Sequence, residues 1–217
     1  MKTTRIWDLA TRIFHWLLVF SVIGLIITGN VGGNAMEWHF RLGYVVFTLL
    51  LFRIVWGLIG GHWSRFTSFI YSPKSVIQYL KGSHPKQHAI GHNPLGALSV
   101  FALLLTLSAQ VATGLFSDDE IAAVGPLAKY VSNATVSQAS FYHAEVGKLF
   151  IILLVVSHIG AILFYLLKER ENLVKPMIHG DKLVDADTPP SRDDGRMRLL
   201  ALITLLACGA VVYLTVS

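Results

Sequence analysis

The sequence predicts an all-α fold: a transmembrane helical bundle with a four-helix core and a fifth, C-terminal transmembrane helix. Of its 217 residues, 53% are hydrophobic and only 14% are charged, which is too apolar for an ordinary soluble domain. A helix needs about 20 mostly apolar residues to cross roughly 30 Å of hydrocarbon. Five stretches meet that requirement, at 13–28, 42–59, 95–116, 141–167 and 199–216.

The distribution of Lys and Arg predicts how these helices cross the membrane. Fourteen basic residues lie in the N-terminal segment and in loops 60–94 and 168–198, all on one side of the predicted bundle. The other side carries only Arg41 and Lys129. Because cytoplasmic loops carry the excess of Lys and Arg, the N-terminus is expected in the cytoplasm and the C-terminus outside. Topology thus explains the net charge of +5, and nucleic acid is not an expected partner.

The chain is expected to divide near residue 180. Residues 1–180 would form the four-helix core, and residues 181–217 a charged cytoplasmic linker and the fifth helix. The stretch DADTPPSRDDG at 185–195 indicates a flexible linker. In the 60–94 loop, SPKSVIQYLKG predicts a short interfacial helix. Asn93, just before a proline, is a predicted cap for the third span.

Four of the nine histidines lie in or at the ends of predicted spans, where ionisable side chains are costly and usually functional. His143 and His158 are fifteen residues apart, which on an ideal α-helix is about 22 Å along the axis and about 60° around it. His39 begins the second span level with His143, which predicts an outer pair. His15 lies near the inner end of the first span, which predicts an inner pair with His158. The remaining histidines are in loops, where solvated or interfacial positions are expected: His62, His84, His88, His92 and His179.

Paired neutral imidazoles on facing helices are how a helical bundle holds a flat metal porphyrin from both sides. A zinc site would need three or four clustered ligands, and Cys and carboxylates are missing at the right depth. The only cysteine is Cys208, and no C-x-x-C-H motif is present, so covalently attached haem is not expected. The two pairs therefore predict two haem b groups, with the four histidines as axial ligands of the iron.

Two glycines and an arginine are further candidates for cofactor binding. Gly43 and Gly147 each follow a histidine by four residues on the same helical face, where a missing Cβ would let a macrocycle lie against the backbone. Close helix packing through small residues is the alternative. Arg53 is predicted near the level of the inner pair, where a haem propionate would compensate its charge. Snorkelling to the membrane surface is the alternative for Arg53, and Lys148 is a weaker candidate for an outer propionate.

Four segments resemble the bacterial cytochrome b561 and nickel-hydrogenase b-type cytochrome family. They are IWDLATRIFHWLLVFSVIGLIITG (6–29), WHFRLGYVVFTLLLFRIVWGLIG (38–60), GHNPLGALSV (91–100) and LVVSHIGAILFY (154–165). The resemblance covers about residues 5–180 and places the four histidines at the family's positions in the first, second and fourth helices. It implies that His39 and His143 bind the outer haem b. It likewise implies that His15 and His158 bind the inner one, and it matches Arg53 to an arginine of the second helix.

The resemblance also implies a function: electron transfer across a bacterial inner membrane between the quinone pool and a periplasmic partner. That partner would be a c-type cytochrome or a hydrogenase-like enzyme, and a quinone is a candidate ligand. Whether the chain is an electron carrier or a quinone-linked oxidoreductase subunit is left open by the sequence.

Two other functions are alternatives. A stand-alone quinone-linked oxidoreductase, such as a superoxide oxidase, would need a positively charged funnel at the outer face. The acidic SDDE at 117–120 favours docking of a basic partner instead. A metal-ion transporter would need a continuous polar path, and Glu145 is the only carboxylate within the predicted spans.

Overall fold

The computed structural model describes residues 1–82, 90–121, 123–185 and 187–217. Most of these residues are helical. In chain order the main elements are β1 (Lys2–Arg5), α1 (Leu9–Val31), α2 (Met36–Ile59), α3 (Pro73–Leu80), α4 (Pro94–Phe116), α5 (Asn133–Phe141), α6 (Lys148–Leu167), α7 (Val174–His179), β2 (Asp181–Val184) and α8 (Gly195–Val216). A π-helical segment, Tyr142–Gly147, joins α5 to α6.

In the described part of the chain, five helical stretches are long and apolar enough to cross a membrane. They are Leu9–Val31, Gly33–Ile59, Pro94–Phe116, Asn133–Leu167 and Gly195–Val216. Large apolar side chains on these helices are exposed, including Phe20, Leu105 and Leu206. Such a surface requires lipid around it, since water would not solvate it. The prediction of an all-α transmembrane bundle is confirmed.

The helices extend beyond the apolar stretches that predicted them. The first begins at Leu9 rather than Ile13, because Asp8 caps it: the Thr11 N–H donates to Asp8 Oδ1 over 2.8 Å. Hydropathy marks the part of a helix that lies in hydrocarbon, whereas capping groups set where the helix begins.

Two local predictions in the 60–94 loop are confirmed. The short helix α3 begins after Ser72, whose Oγ accepts the Ser75 N–H over 3.2 Å. Asn93 caps α4, because its Oδ1 accepts the Gly96 N–H over 2.7 Å. Both caps satisfy backbone donors that have no partner within the first turn of a helix.

The chain forms two compact units. Unit 1 comprises Met1–His15, Arg53–Ala102 and Ser157–Thr204; unit 2 comprises Trp16–Phe52, Leu103–Val156 and Leu205–Ser217. Each of the five long helices therefore contributes residues to both units. The expected division near residue 180 stays a prediction.

Unit 2 has an apolar core. Val46 and Leu50 from α2 pack with Leu107 from α4 and Ile151 from α6. Partly buried leucines and valines surround this cluster: Leu18, Val22, Leu25, Leu104, Val111 and Val155. The core holds α1, α2, α4 and α6 together in unit 2, the unit that also contains His39 and His143.

Unit 1 contains a small sheet that the sequence did not predict. Strand β1 pairs antiparallel with β2, with Lys2 opposite Val184 and Arg5 opposite Asp181. The two strands are about 180 residues apart in the sequence and only four residues long, so no hairpin signal marks them.

The segment after β2 is not the free linker that its composition indicated. Ser191 is buried; its N–H donates to the Arg5 carbonyl over 2.8 Å and its Oγ to the Ile6 carbonyl over 2.7 Å. Trp63 donates its indole N–H to the Pro189 carbonyl over 2.9 Å. The prediction of a flexible linker is wrong in these residues, because their polar groups are bonded to the N-terminal segment and the 60–94 loop.

Asp193 fastens the beginning of α8 to the N-terminal segment. It accepts from Arg5 Nη1 over 2.5 Å, from the Leu9 N–H over 3.2 Å and from Arg198 Nε over 3.1 Å. Desolvation raises the pKa of this carboxyl, but the hydrogen bonds from Arg198, Leu9 and Arg5 outweigh it and lower the pKa.

Replacing Asp193 with Asn is expected to destabilise unit 1 by about 1 kcal/mol, since both arginines are partly exposed. Because the pKa is lowered on folding, this stabilisation is present above the ordinary carboxyl pKa and disappears as the pH falls through the lowered value. Thermal unfolding in detergent at pH 7 and pH 3 measures both effects. Asp187→Asn, at an exposed position, is the control; a D193N difference that does not shrink at low pH would contradict the account.

Candidate haem sites

The predicted outer pair comes together in unit 2. His39 lies in the first turn of α2 and His143 in the π-helical segment, and their ring centroids are 6.0 Å apart with the planes at 80°. The predicted inner pair comes together in unit 1, where the His15 and His158 centroids are 6.5 Å apart. Each unit therefore holds one pair of imidazoles from two helices.

The separations within the pairs suit one metal between two rings. Two metal–nitrogen bonds of about 2 Å on opposite sides of a metal, plus about 1 Å from each nitrogen to its ring centre, place the centres roughly 6 Å apart. Direct stacking of two rings would allow centroids as close as about 4.5 Å. The observed 6.0 and 6.5 Å fit a bridging metal.

Hydrogen bonds determine which ring nitrogen of the unit 2 pair faces a ligand. His39 Nδ1 lies 3.1 Å from the Leu25 carbonyl and 3.2 Å from Thr28 Oγ1. His143 Nδ1 lies 2.9 Å from the Gln110 carbonyl. A carbonyl can only accept, so both Nδ1 atoms carry the proton and both Nε2 atoms carry the lone pair. This is the arrangement that metal-binding histidines usually show.

The π-helical segment sets the orientation of His143. Gln110 donates from Nε2 to the His143 carbonyl over 2.8 Å, so α4 supports both the ring and the backbone of this residue. Single π-helical turns inside α-helices are often found at functional sites. The estimate of about 60° around the axis between His143 and His158 assumed an uninterrupted α-helix. It is wrong for this segment, because a π turn contains more residues than an α turn.

Two glycines that the sequence interpretation missed make room for the rings. A Cβ on Gly29 would lie 3.0 Å from His39 Cε1, and a Cβ on Gly114 would lie 2.8 Å from His143 Cε1. Any side chain at either position would push the imidazole aside. A glycine at the same depth as a histidine on a neighbouring span could have indicated these two positions. The sequence, however, does not show which spans are neighbours.

Gly43 and Gly147, the two glycines predicted to lie against a macrocycle, differ in the space beside them. At Gly43 an added Cβ would meet no atom within 4 Å, and the residue lines a cavity. At Gly147 the corresponding space is occupied by the side chains of Gln110 and Tyr142. Gly43 thus has the open surface that a macrocycle would need, whereas Gly147 fits the alternative of close packing.

The unit 2 cavity has a volume of about 390 Å³, within the usual range for small-molecule and cofactor sites. Its lining includes His39, His143, Gly43 and Lys148, together with apolar residues of the core. The cavity, the nitrogen lone pairs and the ring separation all fit a planar porphyrin held from both sides. Lys148 lines this cavity, and its pairing with an outer propionate stays a prediction.

Arg53 is buried in unit 1. Its Nη1 donates to the Ser64 carbonyl over 3.0 Å, and its guanidinium carbon lies 4.7 Å from the centre of the Phe66 ring. Among the described residues no carboxylate oxygen lies within the 4.0 Å of an ion pair with it. Snorkelling therefore does not describe this side chain, and its pairing with a propionate stays a prediction.

His92 is not in the solvated position expected of a loop histidine. Its ring centroid is 4.8 Å from that of Trp7 and 4.4 Å from that of Phe69. Burial, and then the charges of Arg53, His158 and His15, lower the pKa of His92 to about 3. The expectation was wrong because aromatic side chains distant in sequence enclose the loop. His84 and His88 lie outside the described residues.

The fold and these sites define a class: a multi-pass helical membrane protein with paired imidazoles suited to hold haem. In the described ranges, no three His, Cys, Asp or Glu side chains gather as a metal-binding group, so the pairs stand as two-ligand arrangements. Comparison with known proteins identifies the family. Residues 6–180 match the prokaryotic cytochrome b561 family.

Relatives extend over most of the chain. A probable Ni/Fe-hydrogenase B-type cytochrome subunit of Bradyrhizobium diazoefficiens is 25% identical over 224 residues, covering 83% of this chain and 86% of the relative. One of Azotobacter vinelandii is 22% identical, covering 85% and 90%. A probable Ni/Fe-hydrogenase 1 B-type cytochrome subunit of Escherichia coli is 27% identical, covering 58% and 66%. The chain belongs to the prokaryotic cytochrome b561 family: it is a b-type membrane cytochrome of electron transport.

The open space beside Gly43 allows a direct test of whether a macrocycle lies against this residue. Gly43→Ala adds a methyl group that meets no protein atom, and in a helix interior it should stabilise the chain by roughly 0.5–1 kcal/mol when no ligand is bound. If a macrocycle lies there, the same change should weaken haem retention several-fold and shift the absorption spectrum.

The control is Gly209→Ala, whose new methyl group would make only an ordinary 3.8 Å contact with Thr48. Haem content and spectra of the purified proteins are the measurements. Unchanged haem retention and an unchanged spectrum in G43A would show that no macrocycle lies against Gly43.

Proposed function

We propose that the chain is a dihaem b-type cytochrome that carries electrons between the membrane quinone pool and a periplasmic redox partner. His39 and His143 would hold one haem b, and His15 and His158 the other. The observation that carries the proposal is that each unit brings two imidazoles to a separation that one metal bridges. Haem b, when bound, supplies a reversible one-electron iron couple.

The protein's own contribution is to hold the ligand nitrogens. In unit 2 the carbonyls of Leu25 and Gln110 accept the two Nδ1 protons, so neither ring can rotate without losing a partly buried hydrogen bond. With an imidazole on each face of a haem, both axial positions would be filled, which favours electron transfer over binding of oxygen. Apolar side chains of the core, including Val46 and Leu107, line the same cavity as the pair.

The proposed partner follows from the relatives and from charge. The relatives are named as cytochrome subunits of Ni/Fe-hydrogenases, which supports a hydrogenase-like enzyme as the electron donor or acceptor. A basic c-type cytochrome is the other candidate, because the 117–120 turn is acidic. Asp118 and Asp119 also shape this turn: Asp118 accepts the Glu120 N–H over 2.7 Å and Asp119 the Ala123 N–H over 2.8 Å.

The distribution of Lys and Arg supports the proposed orientation, with the N-terminus in the cytoplasm and the C-terminus in the periplasm. The quinone is proposed as the electron-exchange partner within the bilayer. Two rates separate an electron carrier from a stand-alone superoxide oxidase. They are the rate of haem reoxidation by a c-type cytochrome and the rate of haem reoxidation or reduction by superoxide.

Replacing His143 or His158 with Ala tests both sites. Each variant should lose one axial ligand of one haem, so the haem content should fall from about two to about one per chain. His179→Ala, at the exposed last residue of α7, is the matched control and should keep the full content.

Haem content by the pyridine haemochrome assay and reduced-minus-oxidised spectra are the measurements. A colourless wild-type protein would end the proposal. So would full haem content and an unchanged spectrum in both histidine variants.

A further inference from the structure

A second cavity, of about 350 Å³, lies in unit 1, separate from both histidine pairs. It is lined where α2 ends and α8 begins, by Ile59, Gly60, Gly61, His62, Arg65, Pro190, Arg192 and Met197. Both helices are membrane spans, so the cavity is at the level where a span leaves the hydrocarbon. Lipid headgroups occupy that level of a bilayer.

Arg65 provides this cavity with a cation that the protein does not neutralise. Its Nε is buried and has no hydrogen-bond acceptor in the described part of the chain. Its Nη2 makes only a long hydrogen bond, 3.5 Å, to His62 Nδ1. No carboxylate oxygen of the described residues lies within 4.0 Å of it. A buried, unsatisfied guanidinium nitrogen is costly and indicates a missing acceptor.

His62 adds a donor to the same wall. A guanidinium can only donate, so His62 Nδ1 accepts and the proton of the neutral ring is on Nε2. Burial, and then the charge of Arg65, lower the pKa of His62. The two side chains therefore lie close enough for the charge of Arg65 to act on the imidazole.

Arg192 is a lesser contributor. Its Nε and Nη2 donate to Asp194 Oδ2 over 3.3 and 3.1 Å, and most of its side chain is exposed. Asp194 also accepts the Met197 N–H over 3.0 Å at the start of α8. This carboxylate neutralises Arg192, so Arg65 is the lining cation that has no carboxylate partner among the described residues.

We propose that this cavity binds a phosphate group, carried by an anionic phospholipid headgroup or free in solution. A phosphate oxygen offers the acceptor that Arg65 Nε lacks, and Arg guanidinium groups bind phosphate in bidentate fashion. Basic pockets between membrane helices are suited to anionic headgroups. Ile59 and Met197 supply an apolar border, next to which a lipid glycerol and its chains can lie.

The full-length protein in detergent is titrated with dioleoylphosphatidylglycerol, with dioleoylphosphatidylcholine and with inorganic phosphate at constant ionic strength. Retained lipid is counted by native mass spectrometry, and phosphate is scored by its competition with phosphatidylglycerol. The wild type is expected to bind phosphatidylglycerol at least tenfold more tightly than R65Q. R65K is expected to bind at least threefold more weakly than the wild type, because an ammonium replaces the guanidinium fork.

The control is R41Q, which removes the same charge from an exposed arginine paired with Glu37 in unit 2 and should bind as the wild type does. Preference for phosphatidylglycerol with no competition from phosphate identifies a lipid site, and full competition by phosphate identifies a phosphate site. The proposal is overturned if the wild type binds neither probe, or if R65K, or R65Q where it folds, binds as tightly as the wild type.

Discussion

Hydrocarbon offers an imidazole no water, so every polar atom of a histidine inside a bilayer needs a partner from the protein or from a ligand. In unit 2 this requirement is met by backbone. The Leu25 carbonyl accepts from His39 and the Gln110 carbonyl from His143, although each carbonyl already belongs to a helix. A carbonyl has a second lone pair, so the helices are not disturbed. One nitrogen of each ring is thereby fixed, and the other is left for a metal.

In unit 1 the same cost of burial applies to two charged side chains, Asp8 and Arg53. Asp8 is buried, and its carboxylate accepts from the Thr11 N–H over 2.8 Å, from Trp56 Nε1 over 3.1 Å and from Ser64 Oγ over 2.5 Å. The Ser64 carbonyl in turn accepts from Arg53. A buried carboxylate and a buried guanidinium are tolerated only within such a hydrogen-bonded network. The network ties the beginning of α1 to the end of α2 and to the turn that follows α2. Residues of that turn also line the second cavity, for which phosphate binding is proposed.

The histidine pairs were predictable because depth in a membrane is almost one-dimensional. Residue number gives depth along a helix at about 1.5 Å per residue, so level histidines on different spans can be matched without knowing how the helices pack. Rotation about the axis is less predictable. The π-helical segment changes the phase of the fourth span at His143, and no residue type in YHAEVG marks it. Gly147 lies at the end of that segment, with Gln110 and Tyr142 where its side chain would be.

The sequence by itself determined the five spans, the four membrane histidines and their pairing, because hydropathy and depth are properties of short segments. Tertiary structure decided which carbonyls orient the rings, which glycines admit them and that His92 is enclosed by Trp7 and Phe69. It also joined β1 to β2 and turned the expected linker into a bonded segment. Those features arise from contacts between residues far apart in the chain. The composition of a short segment does not show which distant segment will supply its hydrogen-bond or packing partners.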